Sequence, residues 1–324
     1  MINLPSTLGR AFIISALVPA FVFVLLNAAF VSGALPGIGA LIILGDTPLL
    51  GALGIKSVDL TLLLIPSLIG VLLNALNTFI IRLFEGAHGF ERAGIFKWLL
   101  ERKVKQHTAR MGDLRAFQDQ FRKSSDDLEK RGLRIEIGKI QQRIYTGFAD
   151  AGMTMPSDPA RLLPTTFGNI WAAIEEYPYL RYGMDGTTFW PRMISVVPKE
   201  YAEMIADKKM TLDLLLNSSL LALVFGAEML AVAAPRVGIG NTAFALGAFV
   251  AAYILYQTAN VTLLEMGELI NSCFDLFRGA LGVQMGLKIP AGDIETERHI
   301  WSGVNSYILS GDSYYYPSEG QKSN

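Results

Sequence analysis

The sequence is poor in the residues that build metal and disulfide sites, with one cysteine and three histidines in 324 residues. A single cysteine, Cys273, excludes an internal disulfide framework and a cysteine-rich metal site. The histidines, His88, His107 and His299, show no ligand spacing such as HExxH, and no phosphate-binding GxxxxGK(S/T) motif occurs. We therefore expect no metal and no cofactor, and the lack of a recognisable catalytic set favours a protein that is not an enzyme.

Charged residues are also scarce, at 18% of the chain against 51% hydrophobic residues, whereas soluble proteins carry about a quarter. Residues 11–45, 60–81 and 237–264 contain no charge at all, while residues 83–212 hold 37 of the 57 charged residues. A formal net charge of −1 gives no reason to expect binding to nucleic acid. This distribution predicts an integral membrane protein in which a polar domain separates two apolar blocks.

Four apolar runs are long enough to cross about 30 Å of hydrocarbon as helices: residues 11–31, 60–81, 214–235 and 242–262. The first is longer than the core of a signal peptide, which favours a retained anchor. Pro66 lies inside the second run and is expected to bend it.

The predicted fold is mainly all-α, with a four-helix transmembrane region and a large cytoplasmic helical domain inserted between the second and third spans. Its parts are a transmembrane hairpin (residues 1–82), the cytoplasmic domain (83–212), a second hairpin (213–262) and a cytoplasmic helix followed by a disordered tail (263–324). Residues 34–58 are apolar but broken by glycines, and predict either an external loop or a re-entrant segment.

Lysines and arginines near the span ends set the predicted orientation, because cytoplasmic loops are enriched in them. Only Lys56 and Arg236 fall on one side of a four-span arrangement. The other side carries Arg10, Arg82, Arg92, Lys97, Arg102, Lys103, Lys208, Lys209 and Arg278. Both termini and residues 83–212 are therefore predicted to be cytoplasmic.

The polar domain has two parts that differ in amino-acid composition. Residues 92–148 predict long helices, broken or bent near Ser124–Ser125 and Gly132. Six Lys and Arg residues within residues 92–110 indicate either a contact with anionic lipid or a solvated helix face. From Met155 onwards six prolines, with aromatic residues between them, predict short helices and loops.

Glu228 is the most costly residue in the apolar runs, because a charged carboxylate inside a bilayer needs a partner or a wet cavity. Asn27 falls at a similar depth, and an Asn27–Glu228 hydrogen bond is predicted. Asn74 and Asn77 add polar groups to the second span. The four residues form either a site that handles protons or cations, or a set of interhelical hydrogen bonds that serve packing.

Residues 163–193 read LPTTFGNIWAAIEEYPYLRYGMDGTTFWPRM. The order PTxxGN, Glu175, RYGxD and WPR resembles a group of bacterial integral membrane proteins that has no established activity. A weaker resemblance extends to IRLFEG at residues 81–86 and FDLFR at residues 274–278, although Ala87 stands where an aromatic residue is expected. The resemblance implies a multi-pass protein of the bacterial inner membrane and implies no mechanism.

The same segment predicts a polar cluster. Thr165 precedes an apolar helical run and suits a helix cap. Four charged residues, with Trp190 among the aromatic residues that cover them, are expected to form a salt-bridged cluster: Glu175, Arg181, Asp185 and Arg192. This cluster is either a folded polar core or a ligand pocket, since arginines suit carboxylate and phosphate recognition.

Three functions are compatible with these patterns. The first is a non-enzymatic membrane scaffold, sensor or effector that binds a protein or small ligand through its cytoplasmic domain. Such a protein is expected to form homo-oligomers, because Ala243, Gly247 and Ala251 give one helix a small-residue face. The second is an oligomeric channel or transporter that uses Glu228. The third, a membrane-embedded enzyme, has the least support.

Overall fold

The computed structural model describes residues 9–34, 57–86, 94–124, 126–145, 155–233, 239–290 and 292–311. Over these ranges the chain is mostly helical and contains no β-strand. In chain order the helices are α1 (Val18–Ala34), which a π-helical turn (Ile13–Leu17) directly precedes, α2 (Ser57–Ala75), α3 (Asn77–Glu85), α4 (Gly94–Lys123), α5 (Asp127–Tyr145), α6 (Thr166–Tyr182), α7 (Gly186–Met193), α8 (Lys199–Ala233), α9 (Ile239–Gln284) and α10 (Ile294–Ser310).

The helices divide into two compact units. Unit 1 comprises Met1–Phe84 and Lys208–Thr262, and unit 2 comprises Glu85–Asp207 and Leu263–Asn324. Helices α8 and α9 therefore contribute residues to both units. Residues 34–58 lie almost entirely outside the described residues, as do the expected disordered tail and the turn between the last two predicted spans.

Three helices in the described part of the chain are long and apolar enough to cross a membrane. They are Gly9–Ala28, Lys199–Ala231 and Thr242–Gln284. Each covers one of the charge-poor runs of the sequence, and their length and composition indicate a membrane protein.

The predicted second span consists of two helices instead of one. Leu63–Ala75 and Asn77–Glu85 are apolar enough to cross a membrane when taken together, and they are bent by 62° at the break between them. Pro66, where the sequence predicts a bend, lies inside α2, which continues as a helix on both sides of it. The break between the two helices falls at Leu76.

A tertiary contact accompanies this break. The amide of Asn77, the first residue of α3, donates a hydrogen bond to Asp213 Oδ2 in α8 at 3.3 Å. Neither proline nor glycine lies at the break, so the usual local causes of a sharp kink are missing. The contact with α8 fixes the first turn of α3, and a local sequence pattern does not reveal it.

Helices α8 and α9 contact each other in unit 1, where Ala245 packs with Phe225 and Met229. Ala245, Ala252 and Ala259 are at most 2% exposed, and they follow one another at heptad spacing along α9. The hydroxyl of Ser219 in α8 donates to the Ala252 carbonyl at 2.9 Å. Small side chains let helix backbones approach in a membrane, where van der Waals packing and hydrogen bonds hold helices together.

The π-helical turn gives α8 a second contact in unit 1. The amide of Asn217 donates to the Ser15 carbonyl at 2.7 Å, and Asn217 is buried. Polar groups inside a bilayer need partners within the protein. Pro19, four residues after Ser15, has no N–H to donate to the Ser15 carbonyl, so this carbonyl can accept from the buried amide.

Unit 2 begins with the helical hairpin of α4 and α5, which break where the sequence predicts, at residues 124–126. Helix α5 continues through Gly132, where a second break was expected. Thr165 caps α6 as predicted, since its side chain accepts from Gly168 N–H at 2.9 Å. The core of unit 2 contains Phe167, Met184, Phe189, Met193, Phe274 and Trp301, all less than 2% exposed.

Helix α10 lies within residues 263–324, where the sequence predicts a single helix followed by a tail. Asp293 caps its first turn by accepting from the N–H groups of Glu295 and Thr296, and Gly311 ends it with a φ of 73°. Burial of Trp301 and Val304 anchors the helix in unit 2. These cap residues are start and stop signals that the sequence does contain.

Candidate functional site

A charged cluster in unit 2 is centred on Asp275, in the part of α9 that belongs to this unit. The hydroxyl of Tyr182 donates to Asp275 Oδ1 at 2.6 Å. The hydroxyl of Tyr177 lies 3.0 Å from both carboxylate oxygens. Helix α6 is thus bound to α9 by two tyrosines that share one carboxylate.

Arg278, one helical turn further along α9, joins the same cluster to α10. Its Nε donates to Glu297 Oε1 at 2.8 Å, and its Nη1 donates to the Asp275 carbonyl. The guanidinium also lies 4.2 Å from the centre of the Tyr182 ring, a cation–π distance. Glu297 in turn accepts from Trp301 Nε1 at 3.3 Å.

The surroundings keep both tyrosines protonated. Burial raises the pKa of Tyr182 above its ordinary value, and its hydrogen bond to the Asp275 carboxylate raises it further. Burial and the same carboxylate raise the pKa of Tyr177. Both hydroxyls therefore remain hydrogen-bond donors at physiological pH.

A pocket of about 660 Å³ lies beside this cluster within unit 2. Its charged lining residues are Asp275, Arg278, Lys288 and Glu297, and its apolar lining includes Leu287, Ile289 and Pro290. Two acids and two bases balance formally, and residues of both signs already make interactions within the protein. A guanidinium has five N–H groups, and the bonds of Arg278 to Glu297 and the Asp275 carbonyl use Nε and Nη1. Among the described residues its Nη2 group takes part in none of these bonds, and a guanidinium beside a pocket suits carboxylate or phosphate recognition.

The predicted cluster around Glu175 is distributed over separate contacts. Glu175 accepts from Trp171 Nε1 at 2.8 Å and pairs with Arg161 at 3.9 Å. Burial raises the pKa of the Glu175 carboxyl. Asp185 caps α7 by accepting from Thr188 N–H at 2.7 Å.

The two arginines of that cluster are exposed and make different contacts. Arg181 lies over the ring of Tyr177 at 5.7 Å, and Arg192 Nη1 donates to the Thr188 carbonyl at 2.5 Å. Trp190 packs against Phe274, with 6.2 Å between the ring centres. The structure does not join these residues with Glu175 and Asp185 in one ion-paired cluster, and the pocket forms around Arg278 instead.

Residues that carry the resemblance meet in unit 2. The hydroxyl of Thr165, from PTxxGN, donates to the Glu85 carbonyl of IRLFEG at 2.8 Å. Tyr182, from RYGxD, bonds to Asp275 of FDLFR. These patches therefore support one another's packing, although they are far apart in sequence. The FDLFR patch was the signal for Asp275 and Arg278, whereas nothing in the sequence marked Lys288 or Glu297.

The polar residues of the apolar runs form separate contacts in unit 1. Asn27 is the side-chain neighbour of the Glu228 carboxyl. Among the described residues, the second carboxyl oxygen of Glu228, Oε2, has no hydrogen-bond partner. Asn77 bonds to Asp213, which also pairs with Lys209. Asn74 is exposed on the surface of the unit.

Buried apolar side chains separate the polar residues Asn217 and Glu228 along α8. Asn217 and Glu228 are about 16 Å apart along the helix at 1.5 Å per residue. Leu221 and Phe225 lie between them and are each 9% exposed. Polar side chains that are separated in this way are typical of individual packing contacts between helices.

The described part of the basic segment, in α4, is mostly exposed, with one exception. Lys97 forms an exposed pair with Glu101 at 4.0 Å, and Arg102 lies over the Trp98 ring at 5.5 Å. Lys103 is half-buried and donates to Thr166 Oγ1 at 3.4 Å. Burial lowers the pKa of its ammonium group to about 8. Contact of this segment with anionic lipid stays a prediction.

Comparison of the chain with protein families, with curated proteins and with solved structures found no match. The class of the protein rests on its own helices: it is a helical membrane protein. One of its two units carries a charged pocket built from α9, α10 and the segment between them.

Proposed function

We propose that this protein is a non-enzymatic membrane sensor or effector whose unit 2 binds a small anionic ligand, a carboxylate or a phosphate, between Arg278 and Lys288. The observation that carries the proposal is the charged pocket. Its acids accept hydrogen bonds from within the protein, and Arg278, a lining residue, uses only Nε and Nη1 in the bonds described above. A volume of about 660 Å³ falls within the about 300–1,000 Å³ usual for small-ligand sites.

The same arginine gives the ligand a route to a conformational change within unit 2. Arg278 is the ion-pair partner that Glu297 uses to hold α10 against α9. An anion that bonds to the guanidinium competes with Glu297 for it, because both recognise the same donors. Ligand binding is therefore expected to shift the population of α10 between held and released positions, which is the response that a sensor requires.

The test is the thermal unfolding of the purified full-length protein in nanodiscs, with increasing inorganic phosphate or succinate. At ten times its Kd, a ligand that binds only the folded state stabilises it by about 1.4 kcal/mol, which raises Tm by about 3 °C. We expect at least one of the two anions to produce this shift. Lys288→Gln should weaken it at least tenfold in ligand concentration.

The matched control is Arg192→Gln, which removes an exposed cation of unit 2 outside the pocket. It should leave the ligand-dependent shift unchanged. The shift that remains in Lys288→Gln at the same phosphate concentration measures the general stabilising effect of phosphate on folded proteins. Equal shifts in Lys288→Gln and the unmodified protein would refute the pocket as an anion site.

The membrane arrangement that belongs to this proposal has four spans, with the bent pair α2–α3 as the second. Both chain ends and unit 2 then face the cytoplasm of a bacterial cell across its inner membrane. The distribution of lysine and arginine supports this orientation. Self-association into a homo-oligomer is part of the same proposal, as is binding of a cytoplasmic partner protein by unit 2.

An ion or solute pathway through Glu228 is the second candidate. The observation that favours it is the carboxyl oxygen Oε2, which is buried without a hydrogen-bond partner in the described part of the chain. If the pathway exists, Glu228→Gln should reduce proton or cation flux into liposomes at least tenfold, because it removes the charge and keeps the shape. The control is Ser67→Ala, since that hydroxyl bonds to the Leu63 carbonyl of its own helix. Equal flux in Glu228→Gln and the unmodified protein, or none in either, refutes this function.

A further inference from the structure

One face of α9 in unit 1 is exposed along a heptad stripe. Leu246, Val250, Tyr253 and Gln257 follow one another at alternating spacings of about four and three residues, the pattern of two helices that wrap around each other. Leu246, Val250 and Tyr253 are between 50% and 64% exposed. We call these four residues the α9 stripe.

The same alternating spacing continues along α9 into unit 2, where residues on this face are buried. Leu264 is 8% exposed and Phe274 is 1% exposed. At Gly267, an added Cβ would lie 2.5 Å from the Ile174 side chain of α6. The same helical face thus serves as a packing surface in unit 2, and among the described residues of unit 1 it is exposed from Leu246 to Tyr253.

The exposed half of the stripe carries an incomplete chain of hydrogen bonds. Asn260 Nδ2 donates to Gln257 Oε1 at 3.0 Å, and Gln257 Nε2 donates to the Tyr253 hydroxyl at 2.6 Å. Within the described residues, the hydroxyl of Tyr253 donates to no acceptor, and Asn260 Oδ1, on a residue that is 5% exposed, has no partner. The chain of donors therefore begins at a buried amide and ends at an exposed hydroxyl.

The depth of Tyr253 in the candidate span makes a hydroxyl without an acceptor unfavourable in free energy. It lies about 16 Å along the helix from Thr242, where the candidate span begins, at 1.5 Å per residue. That depth is near the middle of a hydrocarbon layer of about 30 Å. Lipid tails offer no hydrogen-bond acceptor, so a hydroxyl there requires a partner from protein.

A second exposed surface of unit 1 has no such requirement. An apolar groove of about 580 Å³ lies between α1, α8 and α9, and the small-residue face of Ala243, Gly247 and Ala251 forms one wall. Phe23 and Phe225 line the other walls. Hydrocarbon tails can fill such an apolar groove, so the small-residue face does not require contact with another protein.

We propose that the α9 stripe is where two copies of this chain associate, with Tyr253 and Gln257 of each copy hydrogen-bonded to the same residues of the other. A second copy fits because tyrosine and glutamine each supply both a donor and an acceptor. A two-fold axis therefore lets identical stripes complete each other. This inference rests on the self-association included in the proposed function, and it moves the contact from the small-residue face to the α9 stripe.

Disulfide cross-linking in membranes distinguishes the two surfaces. The background is Cys273→Ala, which removes the single cysteine. Val250→Cys places a thiol on the stripe, and Ala251→Cys, one residue later at the same depth, places it in the groove. We expect an oxidant to convert the Val250→Cys variant to a disulfide-linked dimer and to leave the Ala251→Cys variant monomeric.

A second measurement tests the polar residues. Tyr253→Leu combined with Gln257→Leu should weaken the dimer, measured by energy transfer between labelled copies in liposomes at decreasing protein-to-lipid ratio, by about threefold for each hydrogen bond lost. Thr258→Val is the control, because that hydroxyl bonds to the Ile254 carbonyl of its own helix.

The outcomes distinguish association through the α9 stripe from self-association through any surface. Cross-linking through Ala251→Cys alone, or energy transfer that the double variant leaves unchanged, overturns the stripe and preserves self-association. Absence of energy transfer in the unmodified protein at every protein-to-lipid ratio overturns both. Neither result affects anion binding by unit 2, which the unfolding experiment with phosphate and succinate tests separately.

Discussion

Replacing Asp275 by alanine should lower the free energy of unfolding by about 2–4 kcal/mol. The change removes the acceptor for the hydroxyls of Tyr177 and Tyr182, both held against α9 by this carboxylate. Each hydroxyl then stays in a partly buried site without its partner, and the cost of an unpaired polar group there is about 1–3 kcal/mol. Thermal or denaturant unfolding in detergent, followed by near-ultraviolet circular dichroism, measures the loss.

The control is Glu203→Ala, which breaks an exposed pair with Lys199 whose side chains are more than 60% exposed. Exposed pairs contribute about 0–1 kcal/mol, so this variant should be close to the unmodified protein. Tyr182→Phe removes one hydroxyl only and should fall between the two. If Asp275→Ala is no more destabilising than Glu203→Ala, the tyrosine–carboxylate contacts do not hold unit 2 together.

Gly168→Ala should destabilise unit 2 by about 3 kcal/mol. An added Cβ at this position would overlap the Glu85 carbonyl oxygen and lie 2.9 Å from Leu163 Cδ1. Since backbone cannot rotate away as a side chain can, the first turn of α6 must move from its contact with Glu85. Overpacking of this kind typically costs about 1–3 kcal/mol, and the contact with backbone places it at the upper end.

The matched substitution is Gly279→Ala in α9, an exposed glycine with no atom within 4 Å of the added Cβ. It should stabilise the protein by up to about 1 kcal/mol, because alanine favours helix over glycine. The two changes add the same methyl group and are expected to have opposite signs. Equal effects in both variants would mean that α6 does not lie against Glu85 as the structure places it.

The membrane helices were accessible from sequence because transfer of charge into lipid is so unfavourable. The charge-free runs at residues 11–45 and 237–264 each contain part of a helix long enough to cross a membrane. The bend at Leu76 was not accessible, since the sequence around it has no helix breaker and its accompanying contact is to Asp213 in α8. Local propensity reports the cause of a kink only where that cause is local.

In the candidate site, too, the local features were predictable from the sequence and the tertiary contacts were not. The cap at Thr165 depends on its own helix and was predicted, whereas the ion pairs of Glu175 and Arg278 depend on distant partners. The sequence grouped Arg181 and Arg192 because they are close in the chain, but their side chains contact Tyr177 and Thr188. Proximity in sequence does not determine which charges meet once three helices converge.

The π-helical turn at Ile13–Leu17 has a consequence for how this chain tolerates deletions. The turn holds one residue more than an α-helical turn, and the carbonyl of Ser15 within it is the acceptor for Asn217. Loss of Ala16 or Leu17 would leave a regular α-helical turn, in which the N–H of Ala20, instead of Pro19 without an N–H, lies four residues after Ser15 and bonds its carbonyl. The Asn217 amide would then lose its acceptor inside the bilayer, so a shortened first helix calls for an apolar residue at position 217. The extra residue and the buried asparagine are expected to be gained and lost together.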